Sequence, residues 1–310
     1  MKKCIVIYNP YSGHKRIKKF LPEIEKIIKK HNYDVEIIAT KYKGHATDIV
    51  SELPQVDLVM SFGGDGTFNE VMTGNFKRKE KLLLTHIPVG TTNDIGSMLG
   101  YTKNIIENVK LSLNGVVKEF DIGLINNHPF IYVAGFGKYT NISYETPRNL
   151  KKKIGHLAYI KEGIAAFFHK TRLYDVSYEI DGEKYRGLFS LILVSNANHI
   201  AGVKNIYKDV KLDDDCFEVV FCTIRKRKDI IKSLYFLTMY DPSKVPGIYF
   251  YKTNNIKIKI NNPENKTKTW CIDGEKLEAN EQNKYIIEVL NNIPILIPKK
   301  NISKLFIKNT

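Results

Sequence analysis

Several common signatures are missing from this chain. Its 310 residues include four cysteines, Cys4, Cys216, Cys222 and Cys271, with no close metal-type pairing among them. That scatter suits packing roles in a reducing cytosol and argues against a disulfide scaffold. His14, His45, His156 and His199 show no metal-ligand spacing. No apolar run approaches the roughly 18 residues of a membrane span. The basic start runs into a short apolar stretch that ends at Asn9-Pro10, too short for a signal peptide and better read as a first strand. There is no Gly-Lys-Ser/Thr phosphate loop, no complete dinucleotide glycine fingerprint and no protein-kinase signature set. Acidic residues are also scarce: 33 Asp and Glu face 48 Lys and Arg, a net charge of +15. Nucleic acid, an anionic membrane and a phosphorylated ligand all account for such a charge, as does a Lys- and Asn-rich genome. The lysines are spread along the chain and no nucleic-acid motif is visible, which weakens the first.

What remains is an ordinary globular composition, 43% hydrophobic and 26% charged, long enough for two domains with real cores. Residues 3–8 read as a strand and 9–13 as a loop. Ile17, Phe20, Leu21, Ile24, Ile27 and Ile28 form a helical stripe within residues 15–30. A strand at 35–39, a helix at 46–53, a strand ending at Phe62, a strand at 82–88 and a helix at 105–113 follow. This alternation is the pattern of a parallel sheet covered by helices, in which ligands sit at the carboxyl ends of strands. Three polar loops fall at those ends, at 9–13, 63–69 and 90–94.

The central stretch is Ser61-Phe62-Gly63-Gly64-Asp65-Gly66-Thr67-Phe68-Asn69-Glu70. Three glycines in four positions let the backbone turn sharply and approach a ligand. Backbone N–H groups of such a turn, with a helix N-terminus behind them, suit phosphate oxygens. Asp65 is a carboxylate inside that cradle. It reads either as a participant in metal or proton chemistry or as a cap in a tight turn.

After about Phe120 the texture becomes β-rich. Short strands are expected near 121–124, 129–135, 176–180, 188–194, 217–222, 256–260 and 285–290, with helices at 151–170 and 229–239. The first of those helices reads as core packing, or as a membrane-surface element. A boundary therefore falls near residue 121. Asp273-Gly274-Glu275 is a strong hairpin signal, or a carboxylate pair positioned for proton transfer. Asp213-Asp214-Asp215 is a solvated acidic turn or a hard-cation loop.

Asn9-Pro10-Tyr11-Ser12-Gly13, the Gly63-Gly64-Asp65-Gly66 turn, Pro88-Val89-Gly90-Thr91-Thr92-Asn93-Asp94 and Asp273-Gly274-Glu275 together resemble the soluble diacylglycerol kinase family of bacterial lipid kinases. Sphingosine and ceramide kinases share its catalytic core. The resemblance covers nearly the whole chain. Gly-Gly-Asp-Gly alone is shared with NAD kinases and resembles phosphofructokinases.

The resemblance implies an α/β plus all-β fold. A three-layer α/β nucleotide domain would span residues 1–120 and a β-sandwich lipid-substrate domain 121–292. The tail 293–310 would return to the first domain, and the active site would lie in the interdomain cleft. It implies transfer of the ATP γ-phosphoryl group to a lipid hydroxyl with Mg²⁺, diacylglycerol being the family default. Asn9, Pro10, Tyr11, Ser12, Gly13, Thr40, Gly64, Asp65, Gly66, Thr67, Phe68, Asn69, Glu70 and Thr91 match the nucleotide contacts. Glu275 matches the proton acceptor, with Asp273 beside it and Asp65 on the phosphate side. Lys211, Asp214 and Cys216 match a structural Mg²⁺ loop, Asp214 by its carboxylate and the others by backbone carbonyls.

Two positions depart from the family's pattern: Asp214-Asp215 stands for its usual Asp-Gly, and Gly44-His45-Ala46 for Gly-Asp-Ala. A cytoplasmic enzyme held peripherally on an anionic membrane, with a homodimer, completes the expectation. Another acceptor lipid, a NAD kinase-like activity on a soluble substrate, and a catalytically silent nucleotide- or lipid-binding regulator are the alternatives. The Thr-Thr-Asn-Asp loop and Asp273-Gly274-Glu275 favour the lipid branch.

Overall fold

A computed structural model describes residues 1–12, 17–90, 93–137, 172–197, 199–200, 203–204, 210–224, 244–261, 269–277, 282–300 and 302–307. The helices expected at 151–170 and 229–239, and the site candidates Gly13 and Thr91, lie outside the described residues. The chain divides into two compact units, 1–120 with 291–310, and 121–290.

The first unit alternates strands and helices. It runs β1 (Lys2–Tyr8), α1 (Ile17–Lys30), β2 (Tyr33–Ala39), α2 (His45–Glu52), β3 (Leu58–Gly63), α3 (Asp65–Lys77), β4 (Leu84–Pro88), α4 (Asp94–Met98) and α5 (Ile105–Leu113). The strand order is β2-β1-β3-β4, with every pair parallel. β3 and β4 are buried throughout, as strands covered on both faces must be, which is why they read as continuous apolar runs. α1 buries Ile17, Ile24, Ile27 and Ile28 of the expected stripe and leaves Phe20 and Leu21 half-buried. α2 and α3 touch closely: a Cβ at Gly74 would lie 2.6 Å from the Thr47 carbonyl oxygen.

The second unit is antiparallel. After β5 (Val116–Ile125), which enters it, come β6 (His128–Phe130), β7 (Val133–Gly137), β8 (Tyr174–Ile180), β9 (Glu183–Phe189), β10 (Leu191–Ser195), the short β11 (His199–Ile200) and β12 (Val203–Lys204), and β13 (Phe217–Cys222). β14 (Ile248–Thr253), β15 (Asn255–Ile260), β16 (Trp270–Ile272), β17 (Glu275–Leu277) and β18 (Lys284–Ile297) complete it, and α6 (Ile302–Leu305) closes the tail. One sheet contains β14-β13-β10-β7-β16-β17, and another contains β18-β15-β8-β9. Their inner faces share a core in which Trp270 packs near Phe136 and Tyr285, and Tyr178 stacks on Phe221 with ring centroids 4.0 Å apart.

The apolar run expected as one strand at 188–194 is two. Ser190 breaks it, donating its N–H (2.7 Å) and its hydroxyl (3.1 Å) to the Cys222 carbonyl. The first segment pairs with β8 and the second with β13.

Candidate active site

In the first unit, strand-end hydrogen bonds hold the three polar loops side by side. Asn9 N–H donates to the Phe62 carbonyl (3.0 Å), and Thr40 N–H to that of Tyr8 (2.9 Å). The Gly63 carbonyl accepts from Val89 N–H (2.8 Å) and Gly90 N–H (3.2 Å). Asn9 folds its own loop, its Oδ1 accepting from Tyr11 N–H at 2.9 Å.

Two glycines are required by contact. A Cβ on Gly63 would lie 2.3 Å from Thr67 Oγ1, and one on Gly90 would lie 2.8 Å from Gly64 Cα and 2.7 Å from Asn93 Oδ1. Gly64 differs, because among the described residues a Cβ there would meet only Gly90 Cα, at 3.7 Å.

Gly64 is the N-cap of α3, and among the described residues no side-chain hydrogen bond caps that helix. Its first-turn N–H groups keep the positive end of the helix dipole available to an anion. Asp65 does not cap its own helix. Its carboxylate accepts from Asp94 N–H (3.2 Å) and Ile95 N–H (3.4 Å) at the start of α4. Asp65 thereby ties the glycine turn to the 90–94 loop. Asn93 reinforces that loop from a left-handed backbone (φ 51°), its Nδ2 donating to the Gly90 carbonyl at 2.7 Å. Asn93 Oδ1 is buried with no hydrogen-bond partner among the described residues. That atom stands beside Gly90, and nothing in its local sequence marks it as unpaired.

The other candidates divide by role. Phe68 is fully buried and stacks on His86 with centroids 4.7 Å apart, so its ring belongs to the core. Thr67 is buried against Gly63. Glu70 Oε2 accepts from Ala46 N–H (3.3 Å) at the start of α2, and its carbonyl accepts from the Thr47 hydroxyl (2.8 Å). His86 lies under the turn with Nδ1 2.9 Å from Ser61 Oγ. Burial holds its pKa down to about 3, so the ring stays neutral.

In the second unit, Ile272 pairs with Glu275 across Asp273-Gly274, both of positive φ (48° and 84°), the signature of a tight two-residue hairpin turn. Asp273 is buried and its carboxylate is engaged. Oδ2 accepts from Ile131 N–H (2.6 Å), and Oδ1 from Tyr132 N–H (3.0 Å) and Val133 N–H (3.1 Å). Its own N–H donates back to the Val133 carbonyl at 2.9 Å. This geometry makes Asp273 the anchor of the turn, and Glu275, half-buried, begins β17.

The 211–216 loop carries more acid than the motif alone suggests. Asp214 Oδ2 is 2.5 Å from Lys252 Nζ, and its Oδ1 accepts from Cys216 N–H at 3.3 Å. Asp215, at φ 56°, lies in the left-handed region that glycine favours, and its N–H donates to Asp121 Oδ2 at 2.8 Å. Burial, aided by the Asp213–Asp215 carboxylates, pushes Asp121 up to about 7. Burial likewise raises Glu218 to about 8, with Asp214 adding to it and Lys252 opposing. Burial works against the Lys252 ammonium, but Asp214 outweighs it and the pKa rises.

Asn196 links this loop to the Asp273 turn, its Nδ2 donating to the Asp121 carbonyl (2.7 Å) and its N–H to that of Tyr132 (3.1 Å). Among the described residues, no group of three or more His, Cys, Asp or Glu side chains has metal-holding geometry. The donor set of one carboxylate flanked by main-chain carbonyls, with crowded acids and an orphaned Glu218 Oε2, nonetheless fits a hard cation that completes its shell with water. Asp121, Asn196, Glu218 and Lys252 carry no motif of their own; pairing across distant strands is what brings them to the loop.

Comparison with known proteins agrees with this geometry. The diacylglycerol kinase catalytic domain matches residues 3–125. A diacylglycerol kinase of Bacillus subtilis (strain 168) is 29% identical over 98% of this chain and 99% of its own. One of Staphylococcus epidermidis is 32% identical over 83% of this chain and 82% of its own. A crystal structure of a candidate diacylglycerol kinase from Bacillus anthracis str. Sterne superposes with a TM-score of 0.78 at 25% identity, covering 96% of this chain and 97% of that one. Likeness that runs through both units and nearly the full length of its relatives is inherited as a whole, and the chain belongs to the diacylglycerol kinase family of lipid kinases.

Proposed function

We propose that this chain transfers the γ-phosphoryl group of ATP to the free hydroxyl of diacylglycerol, giving phosphatidic acid. The observation that supports the reading is the Asp273-Gly274-Glu275 turn: three backbone N–H groups hold Asp273, and the fixed turn sets Glu275 at the start of β17, where it would accept the hydroxyl proton. The names of relatives aligned over 83% to 98% of the chain support the acceptor.

In this reading the uncapped start of α3 and the backbone of the glycine turn bind the phosphates. Gly64 lets them approach, and Asp65 keeps the 90–94 loop against the turn. Phosphoryl transfer needs positioning and charge stabilisation more than covalent chemistry, and a rigid turn provides both. Mg²⁺ bound with ATP would supply charge neutralisation, with Asp65 the turn's carboxylate able to hold it through water. A second Mg²⁺ at Asp214 and the Lys211 and Cys216 carbonyls would be structural. The basic surface, with no helix long and apolar enough to cross a membrane among the described residues, supports peripheral binding to anionic lipid.

The test is transfer of radiolabelled phosphate from ATP to a panel of diacylglycerol, sphingosine, ceramide, total membrane lipid and NAD. Diacylglycerol should label fastest. Labelling of NAD alone, or of nothing, would overturn the proposal.

A further inference from the structure

Glu218 and Lys252 stand directly opposite each other in the β13–β14 ladder. Opposite charges in that register meet readily across an antiparallel pair. Here the Lys252 ammonium hydrogen-bonds to a different acid. Its Nζ sits 2.5 Å from Asp214 Oδ2, in the loop before β13. Glu218 is 3% exposed, and its Oε2 has no hydrogen-bond partner among the described residues. A buried carboxyl oxygen left without a hydrogen bond, while the lysine across the ladder bonds to another acid, is costly. The arrangement makes physical sense if the lysine has two seats.

We propose that Lys252 is a built-in counter-ion that competes with a divalent cation for Asp214, and that Glu218 is the seat it takes when the cation binds. This rests on the reading of the 211–216 loop as a cation site. An ammonium and a divalent cation on one carboxylate repel each other strongly. Binding the cation therefore displaces Lys252. Expelled into water, the lysine would lose an ion pair; moved to Glu218, it replaces that pair and satisfies the orphaned oxygen. The Lys252 side chain is 41% exposed, so it has room to swing. The backbone of the loop is anchored independently, by Asp215 N–H on Asp121 and by the Asp121 N–H on the Leu212 carbonyl (2.8 Å). The loop thus stays shaped without metal, and the lysine is the part that moves.

The experiment uses the full chain without nucleotide. Mn²⁺ binding is counted by electron paramagnetic resonance, and the Mg²⁺-induced rise in thermal midpoint is read alongside. Lys252→Met should tighten Mn²⁺ binding about tenfold or more, because the competitor is gone. Glu218→Gln should weaken it severalfold, because the second seat is gone. In the double variant the Glu218 substitution should change affinity less than about twofold, a coupling that double-mutant cycles detect. Additive effects, or a Lys252→Met affinity equal to the native one, overturn the competition while leaving the cation site standing. Absence of Mn²⁺ binding in both the native chain and Lys252→Met overturns the site and the competition together. Should Lys252→Met fail to fold, Glu218→Gln alone decides: unchanged or tighter binding overturns the proposal.

Discussion

At the scale of single residues, the two adjacent glycines of the central turn do different work. A methyl group on Gly63 drives into Thr67, whereas among the described residues one on Gly64 reaches only Gly90 Cα at 3.7 Å. Gly64→Ala should therefore leave stability within about 0.5 kcal/mol of native, as a clash-free substitution does. The same change should weaken ATP binding, because the methyl group occupies the phosphate's approach. Gly63→Ala should lose both. Urea denaturation alongside nucleotide titration separates the two outcomes.

The carboxylates of the hairpin turn separate in the same way. Asp273→Asn removes the charge from a carboxylate that accepts three N–H bonds, and should cost about 3 kcal/mol of stability by denaturant midpoint. The residues alone left both acids open for proton transfer, and the family resemblance singled out Glu275; the anchoring of Asp273 is not legible locally, because its N–H donors come from residues 131–133, far away in the chain.

At the scale of elements, the packing of α3 is the weak point. The chain has glycine at position 74 because α2 leaves no room for a side chain there. Gly74→Ala should push the helices apart and cost about 1–3 kcal/mol, the range for overpacking.

Beneath the same helix, His86 makes stability depend on pH. Its folded pKa of about 3 lies below the ordinary value near 6.5, so the unfolded chain binds the proton more tightly. This contribution is whole above pH 6.5 and is lost as pH falls toward 3, by up to about 1.4 kcal/mol per unit. The difference in stability between the native chain and His86→Gln, measured by urea titration at pH 7, 6 and 5, should shrink as the buffer becomes more acidic. A difference that stays constant with pH would contradict it.

Elements with strong periodicity were legible. The α1 stripe, the buried strands β3 and β4, and the Asp273-Gly274 hairpin all follow from local pattern. The break at Ser190 was not, because it is made by the Cys222 carbonyl, a partner in a distant strand. The role of Asp65 was half legible. The turn announced itself, but the choice of α4 over α3 as the helix that it caps depends on how the strand ends line up.

At the scale of the whole molecule, a charge of +15 and the absence of a membrane-spanning helix among the described residues bear on how a lipid kinase reaches its substrate. If the basic surface docks the enzyme, binding to vesicles should need anionic lipid and should fall steeply with salt, since each well-placed Lys or Arg contributes about 1 kcal/mol. Sedimentation with neutral and anionic vesicles across a salt series checks this; binding indifferent to both would contradict it.

Glu275 bears most of the mechanistic account, and one measurement addresses it directly: phosphate transfer from ATP to diacylglycerol by Glu275→Gln, with ATP affinity measured on the same preparation. The account predicts turnover reduced by about a hundredfold to ten-thousandfold, the usual worth of a general base, with nucleotide binding preserved. Turnover near the native rate would contradict it.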